Sequence, residues 1–291
     1  MMRLMWEDWE RFWFAPRPRS LVVPVRIALC LTAAVWFASF LSSAAAWFAP
    51  SGLLNHSLSA QLLQFDQSPG WQNWSPLWFS DSSGLHQAWL LAGILLALVA
   101  AGGWGGRLTL ALLLIWVISW AHRISWLQSG VEPVLVSSLA YLLVEPGPPL
   151  RWGKSSEPGA LCPTWQSGLA LRLLQTHWWL LVAAGLLSQL AGLIWWRGEG
   201  VWWLAAAGRS LLLTTAWFRE QPILTNAFGH AVIAVQMLAL WLLLIPSARL
   251  LGIALGVLVG CIYGLVADQL LYALWLWAGL ASFAVALPKG R

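Results

Sequence analysis

Residues 21–48 read LVVPVRIALCLTAAVWFASFLSSAAAWF, a run whose single charged residue is Arg26. A hydrocarbon layer about 30 Å thick takes roughly 20 apolar residues as a helix, and this run exceeds that. It is also too long for the apolar region of a signal peptide, and no small-x-small cleavage context closes it ahead of a soluble domain. The stretch is therefore expected to stay in the chain as a first membrane helix behind a basic lead, residues 1–20. Outward from it, the same pattern recurs. Apolar runs long enough for helices occupy 24–48, 86–101, 108–127, 131–145, 171–196, 201–218, 228–245, 248–267 and 269–287.

Composition agrees with that reading. The 291 residues are 59% hydrophobic and 9% charged, with a mean hydropathy of +0.70, whereas soluble chains carry roughly 25% charged residues. Water cannot be the only solvent of such a chain, because much of any folded surface must face its surroundings. A cytosolic enzyme, a disordered protein and a disulfide-stapled secreted domain are excluded. The fold class is all-α: a polytopic transmembrane bundle of about eight spanning helices plus one outer interfacial or re-entrant helix. Residues 21–287 form one transmembrane domain, with halves 21–145 and 168–287 joined by the proline-rich loop 146–167.

The net charge of +5 is expected to set orientation, not to bind nucleic acid. Arg3, Arg11, Arg17 and Arg19 place the N-terminus in the cytoplasm, and the loop 50–85, which holds no Lys or Arg, falls outside. Arg107, Arg151 and Lys154 then return inside. If 201–218 spans, Arg209 sits at bilayer depth and Lys289 and Arg291 finish outside, which is costly. If it lies along the outer face with Trp202, Trp203, Arg209 and Trp217, both termini are cytoplasmic, and this is the preferred map. The expected location is the plasma (inner) membrane of a bacterium, with the lipid bilayer as the constant partner.

Cys30, Cys162 and Cys261 are odd in number, lack a CxxC spacing and are expected to act as small hydrophobes, not as metal ligands. The 25 tryptophans are expected in interfacial belts and helix packing, including the pairs Trp178–Trp179, Trp195–Trp196 and Trp202–Trp203.

Ionisable and amide groups inside apolar runs are the candidates for chemistry. His122 and Arg123 end the third run and Glu132 opens the fourth, so all three are expected to converge at one outer corner. There His122 could serve as a base oriented by the carboxylate; the plainer alternative is a salt bridge across a helix–helix turn. Arg172 and Gln175, three apart, share a helix face, with His177 deeper in the same helix. His122, Glu132 and His177 are thus the catalytic candidates, and Arg123, Arg172 and Gln175 the substrate-binding ones. Gln236 and Tyr263 are expected to hydrogen-bond between helices. Gly252, Gly256, Gly260 and Gly264 mark close helix contact. No Walker loop, GxSxG, HExxH or cysteine-based metal motif occurs.

A series of further features comes in a definite order. Arg26-Ile27-Ala28-Leu29 precedes Pro50-Ser51-Gly52-Leu53-Leu54, then Gly103-Trp104-Gly105-Gly106-Arg107-Leu108, then His122-Arg123 with Gly130 and Glu132, and a helix ending before Pro146. The second half runs Leu171-Arg172-Leu173-Leu174-Gln175, Ala184-Gly185 and Trp195-Trp196-Arg197-Gly198. This order resembles the horizontally transferred transmembrane domain, the membrane portion shared with vitamin K-dependent gamma-carboxylases, over about residues 20–287. The resemblance implies a multi-span bundle with an outward-facing site and a quinone as cofactor, activated in the carboxylases by a lysine. Where the family carries that lysine, this chain has Arg123 and Ile124, and Ser188-Gln189 replaces a second one. Tyr263 and Gln236 stand where many members have a histidine and a glutamate, and no extramembrane domain is expected after residue 291. Arginine is no base near neutral pH, so gamma-carboxylation is not expected.

Three functions follow as expectations: a non-carboxylating membrane protein that binds a quinone or lipid, an active enzyme on a quinone, isoprenoid or lipid substrate, and, least supported, a small transporter. The orientation has its own check. Single cysteines placed within 201–218 of a cysteine-free variant are expected to label only from the side opposite the N-terminus, and labelling from the N-terminal side alone would overturn the map.

Overall fold

The computed structural model describes residues 2–55, 57–59, 61, 75–125, 130–145, 162–207 and 215–284. Among these, regular structure is helical, with one isolated antiparallel bridge between Arg17 and Thr164. The described residues form thirteen α-helices: α1 Met2–Phe14, α2 Val22–Leu41, α3 Ala44–Phe48, α4 Ser83–Ala101, α5 Gly106–Arg123, α6 Val131–Leu142, α7 Trp165–Ala191, α8 Leu193–Trp196, α9 Gly200–Ala207, α10 Thr215–Glu220, α11 Pro222–Leu244, α12 Arg249–Leu265 and α13 Leu270–Ala284. Every expected apolar run contains one or more of them.

Among the described residues, four stretches are long and apolar enough to cross a membrane: Arg19–Leu41, Ser83–Ala101, Trp165–Ala191 and Pro222–Leu244. The protein is thus a helical membrane protein. Val131–Leu142, Arg249–Leu265 and Leu270–Ala284 are apolar but shorter; at 1.5 Å per residue, 17 residues rise only about 25 Å. The described parts of 201–218 fall in α9 and α10, whose 8 and 6 residues cover about 12 and 9 Å, too little to cross alone. Arg209 lies outside the described residues, as do Arg151, Lys154, Lys289 and Arg291.

Local sequence accounts for the helix ends. Ser82 and Thr164 accept the N–H groups of Leu85 and Ser167, and Pro222 occupies the first turn of α11, where a missing N–H costs nothing. The GGWGG element is a turn, with Gly103, Gly105 and Gly106 all at positive φ. Gly105 also leaves room for Thr109, whose hydroxyl donates to the Trp104 carbonyl at 2.7 Å. The basic lead is itself a helix, α1. The motif WEDWERFW puts Trp6, Trp9, Phe12 and Trp13 on one arc and Glu7, Glu10 and Arg11 on the other.

The chain divides into two compact units, one of residues 1–28 with 163–291 and one of residues 29–162. In the unit formed by 29–162, Phe37 of α2 lies against Gly93 of α4, where a Cβ would come within 2.9 Å of the ring. Trp89 and Trp116 stack at 3.7 Å between centroids, and the Trp116 indole donates to the Trp89 carbonyl at 2.9 Å. Arg107 closes the far end of α6 by donating to the carbonyls of Val144 and Glu145.

In the other unit, α12 packs between α11 and α13. Its small-residue stripe is the contact seam: Gly252 faces the Leu243 backbone, Gly256 faces Leu280, Gly260 faces Trp277 and Gly264 faces Ala273. Trp178 of α7 packs over Gly279 and donates to the Leu276 carbonyl, and Trp179 donates to Leu240. The tryptophan pair at 178–179 therefore straps α7 to its neighbours. The short helices α8–α10 close one end around Val201, Ala205, Phe218, Val232 and Val266. Replacing Gly260 with Leu drives a side chain into Trp277 and is expected to lower stability by about 1–3 kcal/mol. Gly185→Ala, where a Cβ meets nothing within 4 Å, is expected to be nearly silent. Thermal unfolding of both variants in detergent reads the difference.

Candidate functional site

Arg123, the last residue of α5, is only 2% exposed. Its guanidinium donates through Nη1 to Ser59 Oγ at 3.0 Å, through Nη2 to the Leu54 carbonyl at 2.9 Å and through Nε to His86 Nε2 at 3.4 Å. Phe48 and Trp78 cover it with ring centroids 4.8 and 5.2 Å from Cζ. Removing a guanidinium from water costs several kcal/mol. Charge-assisted hydrogen bonds of about 1.5–3 kcal/mol each, with two aromatic faces in contact, are of the size needed to offset that cost.

His86 is held as firmly. It is fully buried, its Nδ1 lies 2.8 Å from the Ser82 carbonyl, and its ring stacks on Phe48 at 5.0 Å. The carbonyl requires the proton on Nδ1, so Nε2 is left as the acceptor for Arg123. The imidazole is thus neutral and its basic nitrogen is occupied. His86 is absent from the sequence-based candidates because it opens an apolar run. The signal available in the sequence was its place in the first turn after the Asp81-Ser82-Ser83 cap, in a chain with only 5 histidines.

The expected corner of His122, Arg123 and Glu132 takes a different form. Among the described residues Arg123 makes no ion pair with Glu132; its nitrogens go to His86, Ser59 and Leu54. Glu132, 1% exposed in the first turn of α6, accepts the indole N–H of Trp36 at 3.2 Å. It sits where a carboxylate complements the positive end of the helix. His122 is half-buried, one residue before Arg123 and turned about 100° from it round the helix. The simple interhelical salt bridge is thereby replaced by two separate buried polar contacts, one for the cation and one for the carboxylate.

The second group lies on α7, in the other unit. Arg172 donates to Gln175 Oε1 at 3.0 Å, Gln175 Nε2 donates to the Ser282 carbonyl of α13 at 2.7 Å, and Phe12 of α1 covers the Arg172 guanidinium at 4.6 Å. The shared face expected of Arg172 and Gln175 is present. His177 is half-buried and two residues on, roughly 200° round the helix from Gln175, so it faces away from that pair. Gln236 and Gln189 both donate to the Tyr263 hydroxyl, the former at 2.7 Å, which ties α7, α11 and α12 together as an interhelical polar contact. No group of three or more His, Cys, Asp and Glu side chains that could hold a metal occurs among the described residues.

No family model, no curated protein and no solved structure matches this chain. The resemblance built on ordered motifs stands on those residues alone.

The Arg123 arrangement makes a measurable demand. Arg123→Lys keeps the charge but loses the planar fork, leaving acceptors among His86, Ser59 and Leu54 unpaired; stability is expected to fall by about 2 kcal/mol or more. His86→Phe keeps the stack on Phe48 and removes one acceptor, with an expected loss nearer 1 kcal/mol. Equal, negligible shifts in detergent unfolding midpoints would remove the guanidinium from its structural role.

Proposed function

We propose that this protein is a non-carboxylating membrane protein of the horizontally transferred transmembrane type, with about eight spans and cytoplasmic termini, that holds an amphiphile, a quinone or a lipid, without deprotonating it. The observation that carries the reading is the state of residue 123. At the position where the resemblance places an activating lysine, the chain carries a permanently protonated guanidinium whose three nitrogens are already bonded. The one imidazole touching it spends its acceptor nitrogen on that bond. The described groups that Arg123 bonds, His86 Nε2, Ser59 and the Leu54 carbonyl, therefore offer fixed polar contacts and aromatic walls but no uncommitted imidazole to take a quinol's proton.

Binding remains well served. Arginine has five N–H donors, of which three are used by described partners, and Phe48 and Trp78 supply flat apolar faces. A carbonyl oxygen on a planar ring suits that combination better than an ionised nucleophile does. Fold likeness by itself assigns no chemistry, so the weight rests on these side chains.

Tryptophan fluorescence gives a direct test, because quinones quench indoles on contact. The protein in detergent is expected to show saturable quenching by a soluble quinone analogue and no quinone-dependent carboxylation of a glutamate peptide. Trp78→Phe is expected to weaken quenching while leaving the fold intact by circular dichroism. Carboxylase or epoxidase turnover by the wild-type chain would overturn the proposal, as would strictly linear, unsaturable quenching.

A further inference from the structure

The unit made of residues 1–28 and 163–291 carries a cleft of its own. It is a shallow, open cleft between the segment after α1 and the first turns of α7, lined by Arg17, Leu21, Gly168, Leu171, Arg172 and Gln175. Backbone bonds hold its mouth. Arg17 and Thr164 exchange both N–H···O bonds at 3.1 Å, and Gly168 gives the Ala15 carbonyl an approach that a Cβ would block.

Two guanidiniums line this small space. Neither Arg17 nor Arg172 forms an ion pair with a described acidic residue, and the charges that bear on Arg172 are Arg17 and Arg249, both of like sign. Arg172 is oriented by its bond to Gln175 Oε1 and by the Phe12 ring over its guanidinium, which hold the plane of its remaining N–H groups. Cations brought together repel one another, and a guanidinium held by its flank is preorganised for bidentate contact with a phosphate.

Position supplies the source of that phosphate. Arg172 lies seven residues into α7, about 10 Å along the axis, near the depth of the headgroup boundary when α7 crosses the bilayer. Leu21 and Leu171 line the cleft on its apolar side. Beside it lies α1, with Trp6 62% and Trp9 55% exposed, the residue type that favours the headgroup layer. We propose that this cleft binds the phosphate of an anionic phospholipid headgroup between Arg17 and Arg172, with α1 lying in the interface beside it. Basic pockets at helix ends are recognised lipid sites; here the assignment comes from the paired arginines, the Gln175 brace and the aromatic rim.

Native mass spectrometry of the full chain in detergent, titrated separately with phosphatidylglycerol, phosphatidylcholine and inorganic phosphate, tests it. The expected result is retention of phosphatidylglycerol over phosphatidylcholine, a tenfold or greater loss of that retention in Arg172→Gln and in Arg17→Gln, and a partial loss in Arg172→Lys. Arg11→Gln, on the exposed face of α1 beside Asp8, is expected to retain the lipid fully. Circular dichroism and unfolding midpoints confirm that each variant is folded. Equal retention of both lipids, or the same loss in Arg11→Gln as in Arg172→Gln, would overturn the site. Displacement of the lipid by millimolar inorganic phosphate would overturn the headgroup as the source and assign the two arginines to a soluble anion.

Discussion

A hydrocarbon solvent offers no hydrogen bonds, so each polar atom inside it must find its partner within the protein. That single constraint organises the structure. Backbone groups meet it chiefly by being helical, as most of the described residues are. Side chains meet it in a few compact arrangements: Arg123 with His86, Ser59 and the Leu54 carbonyl; Glu132 with the Trp36 indole; Gln189 and Gln236 with the Tyr263 hydroxyl; Gln175 with the Ser282 carbonyl. Each joins residues far apart in sequence, and each is a place where helices are held in one register.

Tryptophan is the commonest means to that end. Trp116, Trp178, Trp179 and Trp277 all direct the indole N–H to a carbonyl of a neighbouring helix. A ring that fills a groove while its one donor is satisfied adds both packing and direction. The abundance of tryptophan is thus only partly a matter of interfacial belts; several of these side chains are interior fasteners. The exposed indoles of α1 fit the belt role.

Helix positions were largely legible, because runs of apolar residues bounded by Gly, Pro and Ser report themselves. Boundaries moved where a cap decided them: α7 begins at Trp165, not near 171, since Thr164 caps it, and the first run breaks at Ser42–Ser43 into α2 and α3. The amphipathic character of α1 is written in the spacing of Trp6, Trp9 and Trp13. Of the candidate residues, the Arg172–Gln175 pair and the Gln236–Tyr263 contact were legible as helical spacing or as lone polar groups in apolar helices. The partners of Arg123 were not. Ser59 and Leu54 lie more than sixty positions away, and no local pattern announces that a neutral histidine will take the place of a carboxylate.

The glycine seam of α12 carries a thermal consequence. Where water is the solvent, separating packed apolar surfaces raises the heat capacity, which bends the stability curve into a dome. Were acyl chains to surround α11, α12 and α13, pulling α12 away would expose Gly252, Gly256 and Gly260 to a solvent as apolar as the partners lost. That step carries little change in heat capacity, so the cohesion of this seam should decline almost linearly on warming and should show no cold-side weakening.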